Sequence, residues 1–414
     1  MLEPYQPQDS LSLWWLGDPQ RPEPVGQLSL ALGGRAVALR YADHWLAAGF
    51  ALSDDLPLRD GLFIPAEKDR AAGAVDDART DRWGERVIRK FEMTPRLSIL
   101  EFLLFAGDDR SGALGVSSRG DAYVPWTPGP VPEFHQLEPM AEAVRMVLAN
   151  EPVPERQRRL VRPGGSLGGA RPKSLLQMDG RQWIVKFPEV TEYDEPLVEH
   201  ATMRLAAVCG IDVAPTRAIK LGHNHGRGHV VAVERFDRAE GARLHAVSAN
   251  VLLKAAGEEL GYPELAQLLR RMAPADRIAE QQQQLFRRMV FNILMDNTDD
   301  HEKNHALLRQ ADGRYLLSPA FDVVPAAQGL GYQQLAVGQH GAESTLANAM
   351  SSAAQFGLRT AAARAVVREV CGAVDGWKQA FAAAGVKDDD IDYLARFIDR
   401  DALRLQRAEY NRGG

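Results

Sequence analysis

A polar segment at the end of an amphipathic helix constrains this chain more than any other feature of its sequence. Residues 280–295 place apolar pairs, beginning with Leu285 and Phe286, at helical spacing, which predicts a helix with one buried stripe. The helix runs directly into nine polar residues, 296–304, and an Asp-Gly hairpin signal follows at Asp312. Residues that can carry chemistry are therefore concentrated between a packed helix and a hairpin.

The spacing of these polar residues is typical of a phosphoryl-transfer site. Asp299 and Asn304 stand five residues apart, as in the D-x-x-x-x-N catalytic loop of protein kinases, and Asp322 lies 23 residues beyond Asp299. Phosphoryl transfer needs a carboxylate near the acceptor hydroxyl, and an Asn and a second carboxylate on Mg²⁺. The simpler alternative is that the segment only ends the helix and that its acids are solvated.

A lysine and a glycine-rich stretch upstream favour nucleotide binding. Residues 164–169 read Gly-Gly-Ser-Leu-Gly-Gly, and an Asp-Gly hairpin signal at Asp179 leads to Lys186 inside an apolar strand. An ammonium group is costly there unless it is paired, and Glu199 on the following predicted helix is the candidate partner. The alternatives are a solvent-facing lysine on an edge strand and an exposed Glu in the first turn of its helix.

A competing metal motif lies within the same polar segment. His301-Glu302-Lys-Asn-His305 matches HExxH, the signature of zinc peptidases, which works only when both histidines lie on one face of a continuous helix. No apolar stripe runs through this segment, and the zinc hypothesis leaves the glycine-rich stretch and Lys186 without a role. A second group of histidines, at positions 223, 225 and 229, is read as a polar loop and not as a metal site.

Charge and composition exclude several classes of function. The chain has 49 Lys and Arg against 55 Asp and Glu, a net charge of −6, so it has no overall attraction for nucleic acid or anionic lipid. A local basic patch remains compatible with this balance. The two cysteines are far apart, and neither a signal peptide nor a membrane span is recognisable. We therefore expect a soluble, cytoplasmic protein.

Five segments together resemble a known family, the HipA-type serine/threonine kinases, which are toxins of bacterial type II toxin–antitoxin modules. The resemblance is dense between about residues 166 and 323, and it treats HExxH as a chance string. Residues 1–145 resemble the family's N-terminal domain only loosely, through Ser53-Asp-Asp-Leu-Pro57 and Asp81-Arg-Trp-Gly84. The segments that carry the resemblance are Ser166-Leu-Gly-Gly-Ala-Arg-Pro-Lys173, Ile184-Val-Lys-Phe-Pro188, Val233-Glu-Arg-Phe-Asp-Arg238, residues 291–304 and Leu317-Ser-Pro-Ala-Phe-Asp-Val323.

The resemblance implies a role for each matching residue. It implies that Asp299 is the catalytic aspartate and that Asn304 and Asp322 are Mg²⁺ ligands. It implies that Lys186 and Glu199 form the pair at the ATP phosphates, and that Gly168 and Gly169 belong to the nucleotide loop. It further implies that Glu234, Arg235 and Phe236 form the adenine-binding hinge, and that Ser166 is a loop serine that is both nucleotide-binding and autophosphorylated. Two departures bear on substrate choice. Arg171-Pro172 replaces the family's Gln-Glu, and residues 245–248, His-Ala-Val-Ser, replace its Gln-Glu-Asp run.

The expected fold is α+β, a two-lobed kinase-like fold with a mixed α/β N-terminal part and a helical C-terminal lobe. The expected domains are an accessory domain (1–145), a nucleotide-binding sheet (146–238) and a helical catalytic lobe (239–414). The resemblance implies ATP and Mg²⁺ as cofactors, and a protein substrate such as an aminoacyl-tRNA synthetase. It also implies a small helix-turn-helix antitoxin that provides the only link to DNA. The non-enzymatic alternative is a catalytically quiet co-repressor that acts by binding the antitoxin.

Overall fold

The structure, a computed structural model, describes residues 5–126, 129–164, 169–189, 191–222 and 228–412. The chain divides into two compact units. Unit 1 comprises Met1–Phe187 with Glu234–Ala256, and unit 2 comprises Pro188–Val233 with Gly257–Gly414. Sheets and helices are mixed in unit 1, whereas helices predominate in unit 2. The predicted α+β class, with a mixed N-terminal part and a helical C-terminal lobe, is therefore confirmed.

The strands and helices are numbered in chain order. The strands are β1 (Ser10–Trp15), β2 (Glu23–Ala31), β3 (Ala36–Tyr41), β4 (Leu62–Phe63), β5 (Arg70–Ala71), β6 (Leu114–Ser117), β7 (Lys173–Met178), β8 (Arg181–Lys186), β9 (Thr216–Lys220), β10 (His229–Glu234), β11 (Arg238–Ala239), β12 (Ala242–Arg243), β13 (Ala246–Ser248), β14 (Ala306–Arg309) and β15 (Tyr315–Leu317). The helices are α1 (Asp43–Ala48), α2 (Arg82–Phe91), α3 (Ile99–Phe105), α4 (Leu137–Leu148), α5 (Glu155–Arg158), α6 (Glu195–Val208), α7 (Ala249–Ala256), α8 (Tyr262–Met272), α9 (Ile278–Leu294), α10 (Leu346–Ser351), α11 (Thr360–Val374), α12 (Trp377–Ala383), α13 (Asp388–Ile398) and α14 (Asp401–Arg412).

Unit 1 begins with a six-stranded sheet in the order β4-β3-β2-β1-β6, with β5 parallel to β3. The turn between β2 and β3 contains Gly33 and Gly34, whose φ angles of 70° and 81° suit glycine. Ser98 and Glu101 form a capping box at the start of α3, a helix whose seven residues are all buried. A glycine pair at a turn and a capping box at a helix start thus explain where these two elements of unit 1 begin or end.

The second hairpin of unit 1, β7–β8, follows the glycine-rich stretch. Asp179 and Gly180 adopt positive φ angles of 50° and 73°, as the Asp-Gly signal predicts, and they pair Met178 with Arg181. Pro132, at the end of a proline-rich part of the sequence, is hydrogen-bonded to this hairpin: the Gln177 amide donates to the Pro132 carbonyl at 2.7 Å. The position of Lys186, at the end of β8, is therefore determined by a short and well-specified turn.

Helix α9 lies at the centre of unit 2, where it packs against α8, α10 and α11. Its bounds, Ile278–Leu294, agree closely with the predicted helix over 280–295. It contacts enough neighbours that even the charged Arg288 is buried. Among the described residues, no helix combines the length and the apolar character needed to cross a membrane.

Candidate active site

Asp299 is the exposed residue of an otherwise buried segment that follows α9. Asp296, Asn297, Thr298 and Asp300 are each at most 2% exposed, whereas Asp299 is exposed. Asp296 turns the chain out of the helix with a φ of 52°, a left-handed conformation that Asp tolerates better than most residues. The loop therefore presents a single carboxylate to solvent, at the position predicted for the catalytic residue.

A buried hydrogen-bond network holds this loop from below. Asp300 Oδ2 accepts a hydrogen bond from the Tyr262 hydroxyl and lies 2.8 Å from His305 Nε2. The Asn292 amide donates to the Tyr262 oxygen at 3.2 Å, and the Asn297 amide donates to Asn292 Oδ1 at 3.0 Å. Side-chain hydrogen bonds thus connect helices α8 and α9, the loop, and His305 at the start of the β14–β15 hairpin. These contacts restrict how far Asp299 can move.

The network changes the acidities of its members. Burial raises the pKa of Asp300, but the charge and hydrogen bond of His305 outweigh that effect and the net pKa lies below its ordinary value. Burial, and next to it the charge of Asp300, hold the pKa of Tyr262 well above 10.0. Asp300 is therefore a carboxylate at neutral pH and Tyr262 a proton donor to it, as the observed contacts require.

Replacing Tyr262 by Phe is expected to destabilise the protein by about 1.5–3 kcal/mol, because a buried carboxylate loses a hydrogen-bond donor. The free energy of unfolding from urea denaturation measures this. Tyr332→Phe is the matched control, since Tyr332 is 52% exposed. A loss for Tyr262→Phe no larger than that of the control would show that the network does not hold the loop.

The zinc hypothesis does not fit the geometry of HExxH. Residues Glu302–Asn304 form a single 3-10 turn, and His301 and His305 on either side are extended, so the two imidazoles do not share a helical face. His305 is 2% exposed and its Nε2 is directed at Asp300. Across the described ranges, no group of three or more His, Cys, Asp or Glu could hold a metal ion. The second histidine of the motif thus supports the loop.

The hairpin β14–β15 brings the two predicted Mg²⁺ ligands towards the same place. The Ser318 amide donates to the Ala306 carbonyl at 2.8 Å, so Asn304 and Asp322 each lie a few residues from the paired ends of the hairpin. Asp322 has a φ of 58°, an uncommon left-handed conformation. Phe321 and Asn304 line the same small cavity, of about 10 Å³. Two distant parts of the sequence therefore converge.

The residues present suit a divalent cation such as Mg²⁺. The side-chain amide of Asn304 forms no hydrogen bond within the described part of the chain, although the residue is only 7% exposed. Its carbonyl oxygen and the carboxylate of Asp322 are hard oxygen donors of the kind that Mg²⁺ prefers. The Asn304 amide is thus not engaged by another side chain, which suits a ligand of a cation.

Asp296 ties the loop of Asp299 to the loop that follows Asp322. Its Oδ2 accepts hydrogen bonds from the amides of Gln328 (3.3 Å) and Gly329 (3.0 Å), and Arg400 forms an ion pair with its Oδ1 at 3.4 Å. Because Asp296 is fully buried, these contacts are shielded from solvent. The sequence predicted neither this role of Asp296 nor the role of Tyr262. The one available signal was that the polar segment begins with Asp296 and Asn297, directly after the apolar helix.

The predicted nucleotide-binding residues of unit 1 lie around β7 and β8. Lys186 is partly exposed at the end of β8, opposite Lys173 at the start of β7. Gly169 has a φ of 104°, which only glycine adopts readily. Ser166 and Gly168 lie outside the described residues, so their predicted roles stay predictions.

A buried ion pair fixes the end of the glycine-rich stretch. Lys173 Nζ lies 2.7 Å from Asp81 Oδ2, and the Trp83 indole donates to the Lys173 carbonyl at 2.7 Å. Asp81 is also the N-cap of α2, where it accepts the Gly84 amide. The Asp81-Arg-Trp-Gly84 motif thus has a structural role, namely to anchor the first residue of β7. The sequence does not reveal this pairing, because 92 residues separate Asp81 from Lys173.

The predicted hinge is held by its arginine side chain. Arg235 donates twice to Asp237, at 2.9 and 2.7 Å, and to the carbonyls of Asp109 and Arg110. Its own amide donates to the Gln182 carbonyl at 3.0 Å and so is not available to a nucleotide. The Arg235 amide is thus excluded from the predicted contacts with adenine, whereas the predicted contacts through the Arg235 carbonyl and the backbones of Glu234 and Phe236 stay predictions. Burial raises the pKa of Asp237, but the adjacent arginines outweigh it and the net shift is downward.

Glu199 lies on α6, in unit 2, and is 1% exposed. This burial rules out the alternative of a solvated first-turn Glu. A fully buried carboxylate requires a partner, as the predicted role in a Lys–Glu pair also demands. Of the other histidines, His229 begins β10 and bonds Asp194 at 2.7 Å, whereas His223 and His225 lie outside the described residues.

Comparisons of the sequence with known families identify both parts of the chain. The pattern of the HipA-like C-terminal domain matches residues 165–377, more than half of the chain, and that of the HipA N-terminal domain matches residues 20–117. The chain belongs to the HipA family. The C-terminal match contains Lys186, Asp299, Asn304 and Asp322, and the N-terminal match contains Asp81. The resemblance noted in the sequence is therefore confirmed at the level of the family.

Similar proteins share parts of this HipA chain. "Putative kinase Y4dM" of Sinorhizobium fredii is 29% identical over 157 residues, which are 35% of this chain and 37% of that protein. "Putative kinase Y4mE" of the same organism is 28% identical over 349 residues, 76% of each chain. The HipA structure of Shewanella oneidensis MR-1, solved with HipB and operator DNA, matches with a TM-score of 0.66 at 19% identity and covers 97% of both chains. This last match shows that the HipA fold extends along nearly the whole chain.

Proposed function

We propose that the chain is an ATP- and Mg²⁺-dependent serine/threonine protein kinase. The single observation that carries this proposal is that Asp299 is exposed on a loop that is otherwise buried and held by hydrogen bonds. The same loop positions Asn304. Kinase chemistry is mostly positioning, so a rigid loop that offers one carboxylate suits it. Membership of the HipA family and the names of the two Sinorhizobium fredii relatives support the same activity.

Each site residue has a proposed task in the reaction. Asp299 would accept the proton of the Ser or Thr hydroxyl and orient its oxygen towards the γ-phosphorus of ATP. Lys186 would bind the phosphates, with Glu199 as its partner, while Gly169 and the neighbouring Gly168 would let the backbone approach them. Asn304 and Asp322 would hold Mg²⁺, which neutralises charge on the transferred phosphoryl group when bound. Glu234 and Phe236 would contact adenine through their backbone.

The biological setting is proposed by analogy with the family. The chain would be the toxin of a bacterial toxin–antitoxin system, acting in the cytoplasm. The Shewanella oneidensis protein was solved with HipB and operator DNA, which supports a small DNA-binding antitoxin as partner. An aminoacyl-tRNA synthetase remains the proposed substrate, and Ser166 the proposed site of autophosphorylation.

Replacing Asp322 by Ala is expected to weaken Mg²⁺-dependent ATP binding, because one of two protein ligands of the cation is lost. Isothermal titration of ATP with and without Mg²⁺ measures this. The control is Asp312→Ala, an exposed turn residue of the same hairpin. If Asp322→Ala binds ATP–Mg²⁺ as tightly as the wild type, Asp322 is not a metal ligand.

A further inference from the structure

Helix α2 carries a basic face that the proposed kinase site does not use. Arg82, Arg86, Arg89 and Lys90 recur every three to four residues, opposite the buried side of the helix, and the three arginines are exposed. These four side chains line a cleft of about 340 Å³ in unit 1, together with Glu85, Val147 and Asn150. We call it the α2 cleft.

Two of the cations are held in place by neutral groups. Arg86 Nη2 donates to the carbonyls of Val147 and Leu148, at 3.3 and 2.8 Å, at the end of α4. Lys90 Nζ donates to Asn150 Oδ1 at 3.1 Å. These contacts orient the side chains without cancelling their charge, so less conformational entropy is lost when an anion binds.

The α2 cleft has an excess of positive charge. Its only carboxylate is that of Glu85, which lies 3.4 Å from Arg79 and 3.7 Å from Arg89. Arg82 forms no ion pair or hydrogen bond with any residue that the structure describes. Four cations against one acid leave +3 in the cleft of a chain whose net charge is −6. Such a local reversal of sign attracts anions.

The basic surface continues beyond the cleft. The guanidinium of Arg158, on α5, lies 5.8 Å from the centre of the Phe91 ring at the end of α2 and forms an ion pair with Glu155 at 3.0 Å. Arg156 and Arg159, next to it in the chain, are exposed. Along α2 itself, Arg82, Arg86 and Lys90 follow one another at intervals of about 6 Å, four residues of helical rise. An extended row of cations suits a polymer of phosphates better than an isolated anion.

We propose that the α2 cleft binds the phosphate backbone of a nucleic acid. The groups lining it suit phosphate, because arginine forks match phosphate oxygens and, among the described lining residues, Val147 is the only apolar one. None of the described residues that line it is an aromatic residue on which a base could stack. Binding is therefore independent of base sequence and is made by the chain itself, and not through an antitoxin.

The salt dependence of binding tests the proposal directly. The probes are fluorescein-labelled DNA and RNA duplexes of about 20 base pairs, roughly two helical turns, and an arbitrary sequence. Fluorescence anisotropy with the full chain alone, at about 50 to 200 mM KCl, gives the slope of log K against log[salt]. Each phosphate contact contributes about 0.9 to that slope, so Arg82→Gln lowers its magnitude by about 0.9 and Arg82→Gln/Arg86→Gln by about 1.8.

The matched control removes the same charge elsewhere in unit 1. Arg35 and Arg119 are exposed and paired with Asp69 and Asp121, so Arg35→Gln/Arg119→Gln should leave the slope near that of the wild type. Arg82→Gln removes no internal contact and keeps the test valid if the double variant folds poorly. Equal slopes for the cleft and control variants would overturn the proposal. So would cleft-dependent binding of tripolyphosphate without binding of either duplex, which would identify a small-anion site. The duplex that the protein binds with the higher affinity, DNA or RNA, identifies the kind of nucleic acid.

Discussion

Replacing Asp299 by Asn is expected to slow phosphoryl transfer from ATP by about 10²–10⁴-fold, the usual contribution of a general base. The amide keeps the size of the side chain but cannot accept the proton of the hydroxyl. Because Asp299 is exposed and the loop is held through Asp300, folding should not change. The measurement is transfer of labelled γ-phosphate to the proteins of a desalted bacterial lysate by the purified full chain.

Two controls separate catalysis from binding and folding. Asp312→Asn changes an exposed aspartate in the β14–β15 turn, where Asn suits the backbone equally well, and should transfer phosphate like the wild type. Calorimetric titration of ATP–Mg²⁺ into Asp299→Asn should show that the nucleotide still binds. An Asp299→Asn protein with wild-type transfer would remove Asp299 from the mechanism.

The second large effect is expected on stability. Asp300→Asn should destabilise the protein by about 3 kcal/mol at neutral pH, because it removes a buried carboxylate that two side chains hold, and a hydrogen bond to a charged group contributes about 1.5–3 kcal/mol. Asp300 is 2% exposed, with His305 at 2.8 Å and Tyr262 as a second donor. Urea denaturation of both proteins measures the difference, and Asp312→Asn serves again as the exposed control.

The pH dependence of that difference has a defined sign. The pKa of Asp300 in the folded protein lies below its ordinary value of 3.8, because the charge of His305 outweighs burial. The stabilisation is therefore fully present above about pH 3.8 and is lost as the pH falls through the lower, folded-state pKa. Wild type and Asp300→Asn should thus converge in acid. A difference that grows as the pH falls would mean that Asp300 is not held as a carboxylate.

Local patterns in the sequence predict the helix and turns around the candidate site well. Helix α9 follows from its apolar stripe, and the turns at Asp179 and Asp312 follow from Asp-Gly pairs that tolerate positive φ angles. The spacing of Asp299 and Asn304 predicts a kinase loop, because such loops need both groups close together, and their roles stay predictions. These signals work because each depends on residues that are near one another in the chain.

The supporting contacts could not be predicted, because they join residues that are distant in the sequence. Tyr262 is 38 residues from Asp300, and a buried tyrosine on α8 carries no signal of its hydrogen-bond partner. His305 shows a different limit, since it lies only five residues from Asp300 in the sequence. Its place in HExxH suggests a metal ligand, and only the 3-10 geometry of the segment reveals the contact with Asp300. Partner choice in a core depends on packing, and a single sequence does not display packing.

The central claim, that Asp299 makes this HipA-family chain a protein kinase, is tested most directly by a quantitative phosphoproteome. Cells that briefly express the wild type are compared with cells that express Asp299→Asn at the same level. The account predicts phosphorylated Ser or Thr residues on at least one host protein with the wild type, and none of them with Asp299→Asn. Identical phosphoproteomes, from a wild type that still binds an antitoxin, would contradict it and would support a catalytically quiet co-repressor instead.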